Sequence, residues 1–148
     1  MANSILQRMV SHIICTKIAV VAPLGGGCPL LIFPNTLYEV MGVSSSSRHL
    51  GHVIIQTGGT WVSVDCRDDT VIKLTQMRVK ATDVTCKRVV FPDEDKNRIR
   101  DLGIGETANF MRDDRIWVTS EVGDKYEFAS TPESPERFLI AKKDVELC

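Results

Sequence analysis

The chain has 148 residues, enough for one domain or two small ones sharing a core. Its 43% hydrophobic and 25% charged content is ordinary for a globular protein, and a net charge of −1 excludes a global field that draws in nucleic acid or an anionic membrane. Aromatic residues are only 6%, so the core is expected to rest on Val, Ile and Leu.

Ser4 to Ser11 has the spacing of a short amphipathic helix, with Ile5, Leu6, Met9 and Val10 as its apolar side and Ser4 as its cap. His12 to Val21 is rich in β-branched residues and predicts a strand. Lys17 divides the apolar run from Ile13 to Phe33, and Pro23, Gly25, Gly26, Gly27 and Pro29 break any helix there. Neither a membrane span nor a signal peptide is therefore expected. A buried strand, a glycine turn and a second short strand at Leu30 to Phe33 are expected instead.

Leu37 to Val43 predicts another strand, and Ser44 to Leu50 a polar loop. The clearest signal follows. His52 to Gln56 and Trp61 to Asp65 are joined by Thr57-Gly58-Gly59-Thr60, which predicts a hairpin with Val62 and Val64 on one face and Trp61, Ser63 and Asp65 on the other. Val71 to Leu74, Met77 to Val79 and Lys87 to Phe91 continue the strands. Asp93 to Leu102 reads as a short helix with acidic residues in its first turn and Gly103 beyond its end. Ala108 to Met111, Ile116 to Val122, Lys125 to Ala129, Phe138 to Ala141 and Val145 to Leu147 complete the strand-like segments.

Short strands with frequent turns and no α/β alternation predict a mainly β fold. The two tryptophans open similar runs, Trp61-Val62-Ser63 and Trp117-Val118-Thr119. Likewise Ala81-Thr82-Asp83-Val84 is answered by Lys142-Lys143-Asp144-Val145. Together with Gly51-His52-Val53, Gly58-Gly59-Thr60-Trp61 and Asp83-Val84, these segments resemble SH3-like barrels of the Tudor and KOW type. The resemblance implies small SH3-like barrel units in two tandem copies with one short connecting helix. Residues 1–35 would pack on a first unit at 36–91. A connector at 92–104 would lead to a second unit at 105–148.

Barrels of that class bind peptides, methylated side chains or nucleic acid, so the resemblance implies binding rather than catalysis. Trp61 and Tyr38, and in the second half Phe110, Trp117, Tyr126 and Phe128, are the aromatics available to a cation cage, although core packing is the commoner role. The expected function is a non-enzymatic binding module, an adaptor or assembly component. It would contact a protein partner through its loops and edge strands, with Trp61, Trp117 and Tyr126 as candidate contacts.

Two alternatives come from other residues. Lys73, Arg78, Lys80, Lys87 and Arg88 form a basic run, and Arg78, Lys80 and Arg88 are candidate phosphate contacts for RNA or DNA; a solvated face is the plainer reading. Cys28, His52 and Asp65 supply the nucleophile, base and orienting carboxylate of a small papain-like cysteine hydrolase. Against it, Pro29 and the strand after Cys28 remove the helix that would activate such a thiol.

No cofactor is expected, and no metal either. His49, His52, Cys66 and Cys86 are zinc-type ligands without finger spacing. The five cysteines (Cys15, Cys28, Cys66, Cys86 and Cys148) are odd in number and form no C-x-x-C pair. That pattern points to reduced thiols and an intracellular, cytoplasmic or nuclear, location.

Overall fold

The computed structural model describes residues 10–43, 51–67, 69–89 and 107–148. The helix expected at Asp93 to Leu102, the Ser44 to Leu50 loop, and all but the end of the Ser4 to Ser11 helix lie outside them. Within the described residues the chain is mainly β, with one turn of 3-10 helix at Lys142–Asp144. No helix among them is long and apolar enough to cross a membrane.

Thirteen strands follow in chain order: β1 (His12–Cys15), β2 (Ala19–Val21), β3 (Leu30–Ile32), β4 (Leu37–Val43), β5 (His52–Thr57), β6 (Thr60–Asp65), β7 (Val71–Val79), β8 (Asp83–Val89), β9 (Thr107–Met111), β10 (Arg115–Val122), β11 (Lys125–Ala129), β12 (Arg137–Ala141) and β13 (Val145–Leu147). Antiparallel pairing links eleven of them in one open series that closes no barrel among the described residues, and β2 pairs with β3 separately.

Two differences from the sequence reading have physical causes. The strand expected over His12 to Val21 is two strands. With a period of two, Lys17 would share a face with Ile13 and Cys15, both fully buried. The chain breaks at Thr16-Lys17, leaves Lys17 exposed, and re-forms as β2. Conversely, Val71 to Leu74 and Met77 to Val79 are one continuous strand, because Thr75 is buried and extends the pairing run.

The chain divides into two compact units, Met1–Thr75 and Gln76–Cys148, here unit 1 and unit 2. The division falls inside β7. Its first half pairs with β1 in the register Leu74 to His12 and Val71 to Cys15. Its second half pairs with β13, Val79 opposite Val145 and Met77 opposite Leu147.

Each unit has the same strand order. In unit 1 the last strand (β7) lies beside the first (β1), followed by β4, β5 and β6. In unit 2 the last strand (β13) lies beside the first (β7), followed by β10, β11 and β12. Each unit also inserts a hairpin between its first and second main strands, β2–β3 in one and β8–β9 in the other. In both, the first strand of that hairpin reaches the fourth main strand. In unit 1, Pro23 just beyond β2 bridges to Val62 of β6, and in unit 2, β8 pairs with β12.

The repeat therefore lies in the topology, and the recurring residues do not mark it. Trp61 is on the fourth main strand of unit 1, whereas Trp117 is on the second of unit 2. Asp83-Val84 opens an inserted hairpin, whereas Asp144-Val145 leads into a last strand. What the two tryptophan segments share is local alternation: the valine after each Trp is fully buried.

The interior of unit 1 is aliphatic, built on Ile13, Ile32, Val53, Ile55, Val62 and Val64. Unit 2 has buried Val79, Ile116, Val118, Ile140 and Val145, as expected, and adds a cluster of three phenylalanines. Phe110 and Phe128 meet edge to face at 5.1 Å, and Phe138 packs 5.4 Å and 5.7 Å from them.

Candidate functional site

The β2–β3 hairpin is apolar on both faces. Ala19 pairs with Ile32, Val20 with Leu31 and Val21 with Leu30. One face turns Val21 and Ile32 into the core of unit 1, with Ala19 and Leu30 packed beside them. The other carries Val20 and Leu31 directly opposite each other, flanked by Ile18 and Phe33. These four are open to solvent, at 58% for Ile18, 69% for Val20, 47% for Leu31 and 50% for Phe33. The sequence reading took the first of these strands as buried; only one face of the ribbon is.

The hairpin is anchored to its neighbours. Leu24 donates its N–H to the Trp61 carbonyl at 2.9 Å, and Phe33 donates its N–H to the Tyr38 hydroxyl at 3.0 Å. In the turn, Gly26 and Gly27 have φ of 85° and 115°, where a side chain is strained. Leu24 and Trp61 are exposed as well. Exposed apolar side chains are common singly; here four lie together on one ribbon and form an apolar patch.

Of the three residues proposed for thiol catalysis, the fold brings two together. His52 and Asp65 are directly opposite across β5 and β6. Cys28 lies exposed in the β2–β3 turn. A Cβ built on nearby Gly58 would sit 3.9 Å from Leu30 Cδ1, and Gly58 is at the other end of the β5–β6 hairpin. The Asp65 carboxylate is engaged by Arg67, whose Nε and Nη2 donate to its two oxygens at 2.9 and 3.0 Å. These bonds hold its carboxyl well below the usual range. Gly51 makes room for that pair: its φ is 91°, and a Cβ there would meet Arg67 Cγ at 2.9 Å.

The buried thiols have a different character. Burial pushes Cys66 and Cys86 each up to about 11, which keeps them protonated and inert. All five cysteines are free, and among the described residues no three His, Cys, Asp or Glu side chains gather to hold a metal ion. His49 lies outside the described residues.

Two of the three candidate basic contacts are ion-paired within the fold. Arg78 Nη2 is 2.7 Å from Glu146, and Arg88 Nη2 is 3.2 Å from Glu136. Arg88 also lies 5.6 Å above the Phe138 ring. Lys80 is exposed and donates its backbone N–H to the Asp144 carbonyl at 2.8 Å. Phosphate binding at Arg78 or Arg88 would have to displace a carboxylate already in place.

Among the aromatics, Trp61 is exposed, Trp117 is half-buried opposite Ala129, and Tyr126 is buried with the Lys142 ammonium 5.4 Å from its ring. Phe110 and Phe128 belong to the core of unit 2. Of this set, Trp61 alone presents a largely accessible ring.

The signal for the hairpin surface was present in the sequence. Ile18 to Phe33 contains no charged residue in sixteen positions. A hairpin that offers only one face to the core needs apolar residues at every second position; apolar residues at the remaining positions leave a second face without a partner inside the unit. Comparisons with known protein families, with curated proteins and with solved structures find no match.

Proposed function

We propose that the protein is a non-enzymatic binding module, an adaptor or assembly component whose contact surface for a protein partner is the outer face of the β2–β3 hairpin. One observation carries this reading: Ile18, Val20, Leu31 and Phe33 form an exposed apolar face on a ribbon pinned to the fold from behind. The hydrophobic effect favours covering such a face, and the hairpin's fixed geometry lowers the entropy lost when that happens. Leu24 and Trp61 are further exposed apolar side chains of unit 1. The repeated strand order, with the last strand beside the first and a hairpin inserted after the first, supports reading each unit as SH3-like.

The nucleic-acid reading has less support, because Arg78 and Arg88 already face Glu146 and Glu136. The thiol-hydrolase reading lacks a convergent Cys28.

Affinity capture of the full chain from source lysate, with and without nuclease, tests the proposal. A partner that survives nuclease and is lost with Val20→Glu is the expected result. Recovery that collapses on nuclease treatment, or that ignores Val20→Glu, would overturn it.

A further inference from the structure

We infer that the outer face of the β2–β3 hairpin is a self-association surface, on which the same face of a second copy docks across a two-fold axis. The inference rests on reading this face as a protein-binding surface and names its occupant.

Three observations point to a second copy. First, Val20 and Leu31 are cross-strand partners at the middle of the face, with Ile18 and Phe33 at one end. A two-fold axis near the central pair sets each copy's aliphatic side chains against their own counterparts. An isologous contact requires such self-complementarity.

Second, the segment from Ile18 to Phe33 carries no charge, in a chain that is 25% charged. Two-fold symmetry brings a charge near the axis against its own copy, where it repels. A charge-free face has no such cost. A different protein partner is ordinarily selected by complementary charges, which this face does not offer.

Third, the area suits a modest dimer. With an aromatic side chain of about 150–250 Å², smaller aliphatic ones and exposures near one half, the four side chains present on the order of 400 Å² of apolar surface, to which an interface adds a polar rim. A standard interface buries about 800 Å² per partner, so association is expected in the micromolar range or weaker.

A lipid surface is the less favoured occupant. Peripheral membrane binding ordinarily joins apolar contact to a cluster of basic residues. Here only Lys17 adjoins the hairpin in sequence, and the net charge is −1.

Sedimentation equilibrium of the full chain, from roughly 1 μM to 1 mM, tests the inference. The expected result is a mass rising from 16.5 kDa toward twice that value. Val20→Glu and Val20→Lys should each weaken association tenfold or more, and an equimolar mixture of the two should regain it by pairing opposite charges at the axis. Tryptophan fluorescence confirms that each variant is folded, and the milder Val20→Thr serves if one is not.

A mass that stays at the monomer value, or association unmoved by both charged variants, would overturn the inference. If the protein remains monomeric while Val20→Glu still abolishes lysate capture, the face binds another protein and the broader reading stands. If Val20 matters to neither measurement, both fall. Flotation with phosphatidylcholine–phosphatidylserine vesicles that depends on Val20, from a protein that stays monomeric, would assign the face to lipid and also overturn the inference.

Discussion

In unit 1 the interior is aliphatic and apolar side chains continue onto the outside, on the β2–β3 hairpin and along β4, where Leu37, Met41 and Val43 are exposed. In unit 2 the interior joins a cluster of Phe110, Phe128 and Phe138 to aliphatic residues such as Val79, Ile116, Val118 and Ile140, and the outside carries ion pairs such as Arg78–Glu146, Arg88–Glu136 and Lys142–Glu121. The strand order is the same. The difference shows that one strand order accommodates an aliphatic core with or without an aromatic cluster, leaving side-chain chemistry at the surface to be set separately. Among the described residues unit 2 exposes fewer large apolar side chains, Met111, Val122 and Leu147; unit 1 carries the face proposed above for a partner.

The largest effects should come from the cores. Phe128→Ala removes a fully buried ring held edge to face against Phe110, and should cost about 3–5 kcal/mol in urea unfolding. Ile55→Ala in unit 1 should cost about 2–5 kcal/mol, since Ile55 is equally buried. A loss below about 1 kcal/mol at either site would mean that its core is not packed as described.

Thiol labelling sharpens the contrast between surface and interior. Cys28 and Cys148 are exposed and should react with iodoacetamide quickly, while Cys15, Cys66 and Cys86 stay protected until urea is added. Mass spectrometry of the native protein would count the labels. Early modification of Cys66 or Cys86 would contradict the burial that pushes those thiols up to about 11.

A smaller effect is expected from His12, beside the β1–β4 pairing of unit 1. Burial lowers its affinity for protons below the ordinary 6.5, with Glu39 opposing. The unfolded chain then binds the proton more readily, so stability should fall as pH drops through 6.5 and be restored above it. His12→Gln should flatten that part of the pH profile; an unchanged slope would assign it to other groups. The smallest change is expected from Arg88→Ala with Glu136→Ala. A double-mutant cycle should give a coupling of about 0–1 kcal/mol, as for other partly exposed pairs.

Much of the strand architecture was legible because it follows local rules. The Gly58-Gly59 turn needs positive φ at both residues, and both have it, at 59° and 75°. Alternation in Trp61 to Asp65 put Val62 and Val64 together on one face, and that face is the buried one. The strand order was not legible, since it depends on pairing between distant segments such as β1 with β7. The apparent repeat was misleading for the same reason: Trp-Val records a strand entering a core, and many non-equivalent strands do that. The hairpin surface was missed because apolar residues were equated with burial, although a two-stranded ribbon can bury only one of its faces in its own unit.

The strand that serves both units bears on how the protein can be cut. Cleavage between Thr75 and Gln76 would leave Val71–Leu74 as a half-strand against β1 and Met77–Val79 as a half-strand against β13. Neither fragment would keep the full nine-residue run. The units are thus joined like words sharing a letter. A boundary drawn through β7 cuts a strand that both units use.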